Sequence, residues 1–202
     1  MEKPTVILIG GAPLVRTNEV ARTIARRWDC SCVGTEDLIQ AIMGVTNAQS
    51  HPHFHLLQQK DHRQYFVTHT PARLATDAQY RHEAAWPAIK QVITYHLAEL
   101  TGLVIEGWAL LPDKVAQVKD PQVRSVWLTA PEEFFNQSVQ QDDFFQRSPM
   151  ENVLAQKFAS RSILINDTLR RQALQLDFPI IETRPDEDIE DIVEKCCTAL
   201  TS

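Results

Sequence analysis

The chain has 202 residues, of which 44% are hydrophobic and 23% charged, a balance close to ordinary globular proteins and sufficient for a hydrophobic core in one domain. That balance excludes a disordered chain, a collagen-like repeat and a disulfide knot, and no apolar run approaches the roughly 18 residues a spanning helix needs. The net charge of −6 argues against non-specific nucleic-acid or anionic-membrane partners.

The first element is Thr5-Val6-Ile7-Leu8-Ile9, a continuous β-branched run expected to form a strand buried on both faces of a parallel sheet. One lysine precedes it, and the N-terminus does not read as a signal peptide. Gly10-Gly11 closes the strand, and Val20, Ala21, Ile24 and Ala25 then recur at helical spacing opposite Arg22, Arg26 and Arg27. Residues 30–33 form a second short apolar run, after which Thr35 is expected to cap a helix over 36–43. From 44 to about 76 the periodicity fades and His, Gln and Pro accumulate. A long helix is predicted over 78–100, with Pro87 a candidate kink. Leu103-Val104-Ile105, closed by Glu106-Gly107, is the third strand, and residues 123–128 are the fourth. Helices are predicted over 131–140 and 150–176, the second broken near Ser160. Residues 178–181 give a fifth strand. A final helix over 188–200 opens on the acidic run 186–191, a composition suited to a helix N-terminus. No internal repeat is visible, and alternating strands and helices define an α/β domain.

A glycine-rich turn between a first strand and a first helix is where such folds hold phosphate, because backbone N–H groups and the helix N-terminus face the anion. The P-loop pattern G-x-x-x-x-G-K-[ST] falls here on Gly11-Ala12-Pro13-Leu14-Val15-Arg16-Thr17-Asn18. Spacing and context agree; the three discriminating positions do not.

Val6-Ile7-Leu8-Ile9-Gly10-Gly11-Ala12-Pro13 nevertheless resembles the opening of the P-loop small-molecule kinases, in particular the 2-phosphoglycerate-kinase-like group. Gly34-Thr35-Glu36-Asp37-Leu38 is similar to that family's S-T-D-D-L after the second strand, and Val104-Ile105-Glu106-Gly107-Trp108-Ala109-Leu110-Leu111-Pro112 to its I-I-E-G-x-x-L-x-P at the third. The stretch 158–181, with Arg161, Ser162, Asn166, Leu169, Ala173 and Pro179-Ile180-Ile181, resembles the helix after the lid and the last strand. The resemblance implies a kinase-like three-layer sandwich with a mostly parallel five-stranded sheet and helices on both faces. It implies one domain over 1–202, with a substrate-lobe insert at about 44–80 and a lid at about 140–150.

The resemblance also assigns site residues. Gly10, Gly11, Ala12, Pro13, Arg16, Thr17 and Asn18 would hold ATP or ADP with Mg²⁺. Arg16 stands where the family has a glycine; a left-handed conformation there would cost about 1–2 kcal/mol, so the loop is expected to take another shape. Thr17 replaces the lysine that reaches the β and γ phosphates, and loss of such a partner typically costs about 10²–10³ in rate. Asn18 replaces the hydroxyl that ligates Mg²⁺, and a neutral amide is a weaker ligand. Asp37 would orient or deprotonate a substrate hydroxyl and Glu106 would organise the cation. Arg147 or Arg161 would stabilise transferring charge, with Arg170 and Arg171 also flanking the lid. Glu36, Arg63, Arg73 and Arg81 are the substrate-binding candidates, since guanidinium grips phosphate bidentately.

Two further features have plainer readings. His51, His53 and His55 would share one face if extended, a spacing a metal ion can use, but no acidic or cysteine partner stands at ligand spacing, and no metal site is assigned. Cys30 and Cys32, and Cys196 and Cys197, lack metal or redox spacing; they read as small hydrophobes in a cytoplasmic protein. The four tryptophans are assigned to the core. The favoured function is a kinase homologue that kept its substrate cleft but is impaired in ATP phosphotransfer, binding a nucleotide or phosphorylated metabolite. The alternatives are an active small-molecule kinase relying on Arg16 and the lid arginines, and a non-enzymatic interaction partner whose cleft Arg16 occludes.

Overall fold

The computed structural model describes residues 3–56, 61–141 and 149–201. The chain order is β1 (Val6–Gly11), α1 (Thr17–Arg27), β2 (Ser31–Gly34), α2 (Thr35–Val45), α3 (Pro52–His55), α4 (His62–Thr68), α5 (Pro71–Glu99), β3 (Leu103–Gly107), α6 (Pro112–Val115), β4 (Val123–Thr129), α7 (Glu132–Gln141), α8 (Pro149–Gln175), β5 (Ile180–Glu182) and α9 (Ile189–Thr201). The strands form one sheet in the order β2-β3-β1-β4-β5, and every observed pairing is parallel.

The apolar run at the start of the chain becomes the central strand, flanked by β3 and β4 and covered on both faces. Side chains alternate across a strand, so Ile7 and Ile9 pack with Ile24 of α1 and Ile192 of α9 on one face. Val6 and Leu8 pack with Ile89 and Ile93 of α5 on the other. Each such burial contributes about 1.5–3 kcal/mol. Parallel pairing also collects the strands' C-terminal ends, Gly11, Gly34 and Gly107, along one edge of the sheet.

Several boundaries differ from expectation for local reasons. Helix α5 begins at Pro71, not at 78, because Thr70 caps it, accepting the Arg73 N–H at 3.2 Å, and proline suits the first helical position. Helix α8 is unbroken past Ser160. Within it, the Ser162 hydroxyl donates to the Phe158 carbonyl at 2.8 Å, which satisfies the side chain without ending the helix. Thr35 is the first residue of α2 rather than its cap; Gly34 holds that position without a side-chain hydrogen bond, and Thr35 Oγ1 is buried and unpartnered. The segment after 44 contains the short helices α3 and α4, which lack the two-turn periodicity that would announce them. Asn166 locks α8 to the end of β4, accepting from the Ala130 N–H and donating to its carbonyl, each at 3.1 Å.

Candidate active site and ligand cavity

The turn after β1 is tight. A methyl group added at Gly11 would lie 2.6 Å from Val15 Cγ2 and 2.9 Å from the Leu128 carbonyl, so the position needs glycine's lack of a side chain. Leu14 (φ 79°) and Arg16 (φ 66°, ψ 23°) are both left-handed. This corrects the expectation that Arg16 moves the loop to another shape: the left-handed geometry is kept, at about 1–2 kcal/mol for each such residue. Arg16 is held there by its own side chain, which donates to the Glu187 carbonyl at 2.8 Å and to the Glu19 carboxylate at 3.1 and 3.3 Å. The guanidinium thus ties the turn to the segment before α9.

The two following residues face the end of β3. Thr17 Oγ1 donates to Glu106 Oε2 at 2.6 Å, and Asn18 Nδ2 to Glu106 Oε1 at 3.5 Å. Glu106 is only 9% exposed, and these donors meet part of the hydrogen-bonding demand of a buried carboxylate. Asp37 joins it: a methyl group at Gly34 would meet Glu106 Oε1 at 2.9 Å and Asp37 Oδ2 at 3.1 Å, which places both carboxylates against one bare backbone position. Gly107 (φ 126°) turns the chain beside Thr35, a conformation that side chains rarely adopt. Gly10 is the last strand residue but one, paired with Gly107 and Trp127, and Ala12 and Pro13 begin the turn. Its backbone takes left-handed conformations at Leu14 and Arg16, while the polar side chains at 16–18 serve internal contacts.

A cavity of about 290 Å³ lies among α2, α4, α5 and α8, lined by Glu36, Phe66, Ala78, Arg81, Trp108 and Arg161 among others. Arg161 dominates its chemistry. It is 7% exposed, its Nε has no hydrogen-bond partner, and among the described residues it has no ion-pair partner. Its guanidinium carbon lies 4.6 Å from the Phe158 ring, 4.9 Å from Phe66 and 5.0 Å from Trp108, so three aromatic faces hold the cation. Burial, with Arg81 nearby, pushes its pKa down to about 10, against the opposing pull of Glu36. Arg81 is committed to Glu36 at 2.5 Å.

Of the remaining candidates, Arg63 lies 3.6 Å from Glu151 and Arg73 bonds Asp77 at 2.9 Å; neither lines the cavity, although Asp77 and its short-bonded partner Tyr65 do. Arg147 lies outside the described residues. His53 and His55 sit in the helical turn α3 rather than on an extended face, and the His55 ring is paired with Thr46 Oγ1 at 2.9 Å. Among the described residues no cluster of three metal-ligating side chains occurs. Sequence reasoning missed Trp108, which stands at an unspecified position of the third-strand motif and lines the cavity instead of filling the core. It also missed Phe66, whose segment has no strong periodicity.

No family model matches. The chain is 26% identical over 216 residues to the 2-phosphoglycerate kinase of Methanocaldococcus jannaschii, a match covering 98% of this chain and 64% of that protein's length. Among solved structures it is similar to shikimate kinase from Bacteroides thetaiotaomicron (TM-score 0.57, 15% identity, 98% of this chain and 99% of the other). It is also similar to shikimate kinase from Acinetobacter baumannii in complex with shikimate (TM-score 0.54, 16% identity, 98% and 93%). The fold is therefore that of the P-loop small-molecule kinases, an α/β three-layer sandwich on a parallel five-stranded sheet. Within that class, the sequence similarity is to 2-phosphoglycerate kinase.

Proposed function

We propose that this protein is a P-loop small-molecule-kinase homologue that binds an anionic small molecule, a carboxylate or phosphorylated metabolite, beside Arg161, and is impaired in ordinary ATP phosphoryl transfer. The observation that carries the reading is Arg161 itself, a cation nine-tenths buried in an open cavity without a counter-ion among the described residues. Buried charges are normally paired; a bound carboxylate or phosphate supplies the missing partner, with guanidinium geometry that favours bidentate contact. The named relatives act on small molecules, in keeping with a cavity of this size.

The loop supports the second half of the proposal. Phosphoryl transfer rests on cations placed around the transferring group, yet Arg16 is engaged by Glu19 and Glu187, and Thr17 and Asn18 direct donors at Glu106. The residues present therefore do not fit Mg²⁺-ATP in the way a reactive complex requires, and no catalytic step is assigned to Asp37 or Glu106. The kept backbone shape leaves nucleotide-phosphate binding as a weaker capacity of the same turn. Calorimetric titration with 2-phosphoglycerate, shikimate, Mg²⁺-ATP and Mg²⁺-ADP, followed by an assay for ADP release, tests both parts. Binding of at least one carboxylate without ATP turnover is expected. Steady turnover, or no heat with any of the anions at millimolar concentration, overturns the reading.

A further inference from the structure

A second cavity, of about 250 Å³, lies beside Trp108, between α5 and α8 and under the segment that enters α6. Its walls are the short side chains of Ala72, Ala75 and Ala78 on α5 and the larger Leu164, Ile165 and Leu169 on α8. Among the described residues its rim is uncharged apart from Asp113, which is half-exposed and 3.4 Å from Lys114; Thr76, Gln79, Thr168 and Gln172 supply neutral polar groups. One polar group in the wall is out of place. His82 is 2% exposed and its Nε2 is buried without a hydrogen-bond partner among the described residues, a condition that normally costs stability and calls for a partner. Its ring stands edge-on to Trp108, with centroids 4.4 Å apart at 77°.

We propose that this groove is a second small-molecule site, taking an uncharged, largely apolar molecule whose hydroxyl group pairs with His82. The class follows from the walls. Aliphatic side chains and an indole face favour an apolar body, and the cavity is smaller than the roughly 300–1,000 Å³ usual for drug-sized ligands. The imidazole is neutral, because burial, with Arg81 and Arg161 close by, pushes its pKa down to about 3; it therefore offers a hydrogen bond and no charge. A hydroxyl both donates and accepts, so it satisfies either neutral tautomer. Arg161 lines the first cavity and His82 the second, with Trp108 and Ala78 common to both, so an anion and a neutral molecule would be taken by neighbouring sites.

The test uses phenol as probe and toluene as its hydroxyl-free counterpart, followed through the Trp108 indole N–H resonance of the ¹⁵N-labelled protein, assigned with Trp108→Phe. Phenol is expected to shift that resonance saturably at millimolar concentration, and toluene to bind at least tenfold more weakly. Ala75→Leu, which fills the groove from outside the phosphate loop and the Arg161 cavity, is expected to abolish the phenol response while the protein stays folded. No saturable shift with phenol, equal affinity for toluene, or an undiminished response in a folded Ala75→Leu protein each overturns the proposal. So does a crystal structure with phenol in which its oxygen lies away from His82.

Discussion

Replacing Arg161 by methionine separates the cost of holding a buried cation from its use. Depressing the guanidinium from 12.5 to about 10 corresponds to about 3 kcal/mol of unfavourable environment for the charged form. A carboxylate or phosphate bound in contact relieves that penalty, so its loss is expected to weaken anion binding by roughly 100-fold, at 1.4 kcal/mol for each factor of ten. Stability responds differently. Methionine keeps the apolar stem and removes the desolvated charge, but it forfeits stacking against Phe66, Trp108 and Phe158, worth about 0.5–2 kcal/mol for each ring. The two contributions oppose each other, and the melting temperature without ligand is expected to move by only a few degrees. Thermal melts with and without 2-phosphoglycerate or shikimate, with calorimetry on the same samples, read both quantities. If an anion that binds the parent binds Arg161→Met equally well, Arg161 is not its counter-ion. If the variant unfolds outright, the cation is structural, and Arg161→Lys then shows whether charge or shape was needed.

Three other outcomes are expected. Changing Arg16→Gly, Thr17→Lys and Asn18→Ser together should raise Mg²⁺-ATP affinity by about tenfold or more, measured by calorimetry; no gain would mean that these side chains are not what limits the loop. His82, held at about 3 when folded against about 6.5 when unfolded, contributes stability that is complete above pH 6.5. It is lost as pH falls, by up to about 1.4 kcal/mol per pH unit down to pH 3, because the unfolded chain takes up the proton first. Urea midpoints across that range should fall less steeply for His82→Phe, and parallel curves would contradict the assigned burial. Asn166→Ala strands both the N–H and the carbonyl of Ala130, at about 1–3 kcal/mol for each buried group, and should lower the melting temperature by roughly 4–24 °C; a drop under 2 °C would mean that water or relaxation replaces both bonds.

The strand positions were legible in the sequence because a strand buried on both faces cannot avoid being continuously apolar, and residues 6–9, 103–105 and 126–128 are spelled that way. The same local reading located Gly11 and Glu106, since a turn at the end of such a strand is marked by glycine and by a polar residue at the sheet edge. Helix ends were less legible: the Thr70–Pro71 start of α5 lies in a stretch whose apolar spacing is poor, and the cap that fixes it is one hydrogen bond. The conformation of Arg16 was decided by tertiary structure. Local preference argues against a left-handed arginine, but a carbonyl 171 residues away and Glu19 hold its side chain in place. The pairing of Arg81 with Glu36, and the absence of such a partner for Arg161 among the described residues, likewise depend on how α2, α5 and α8 meet. Sequence determines which side chains are charged and which strands must be buried; only packing decides which charges find each other, because partners so far apart in the chain are brought together by the core and not by their own spacing.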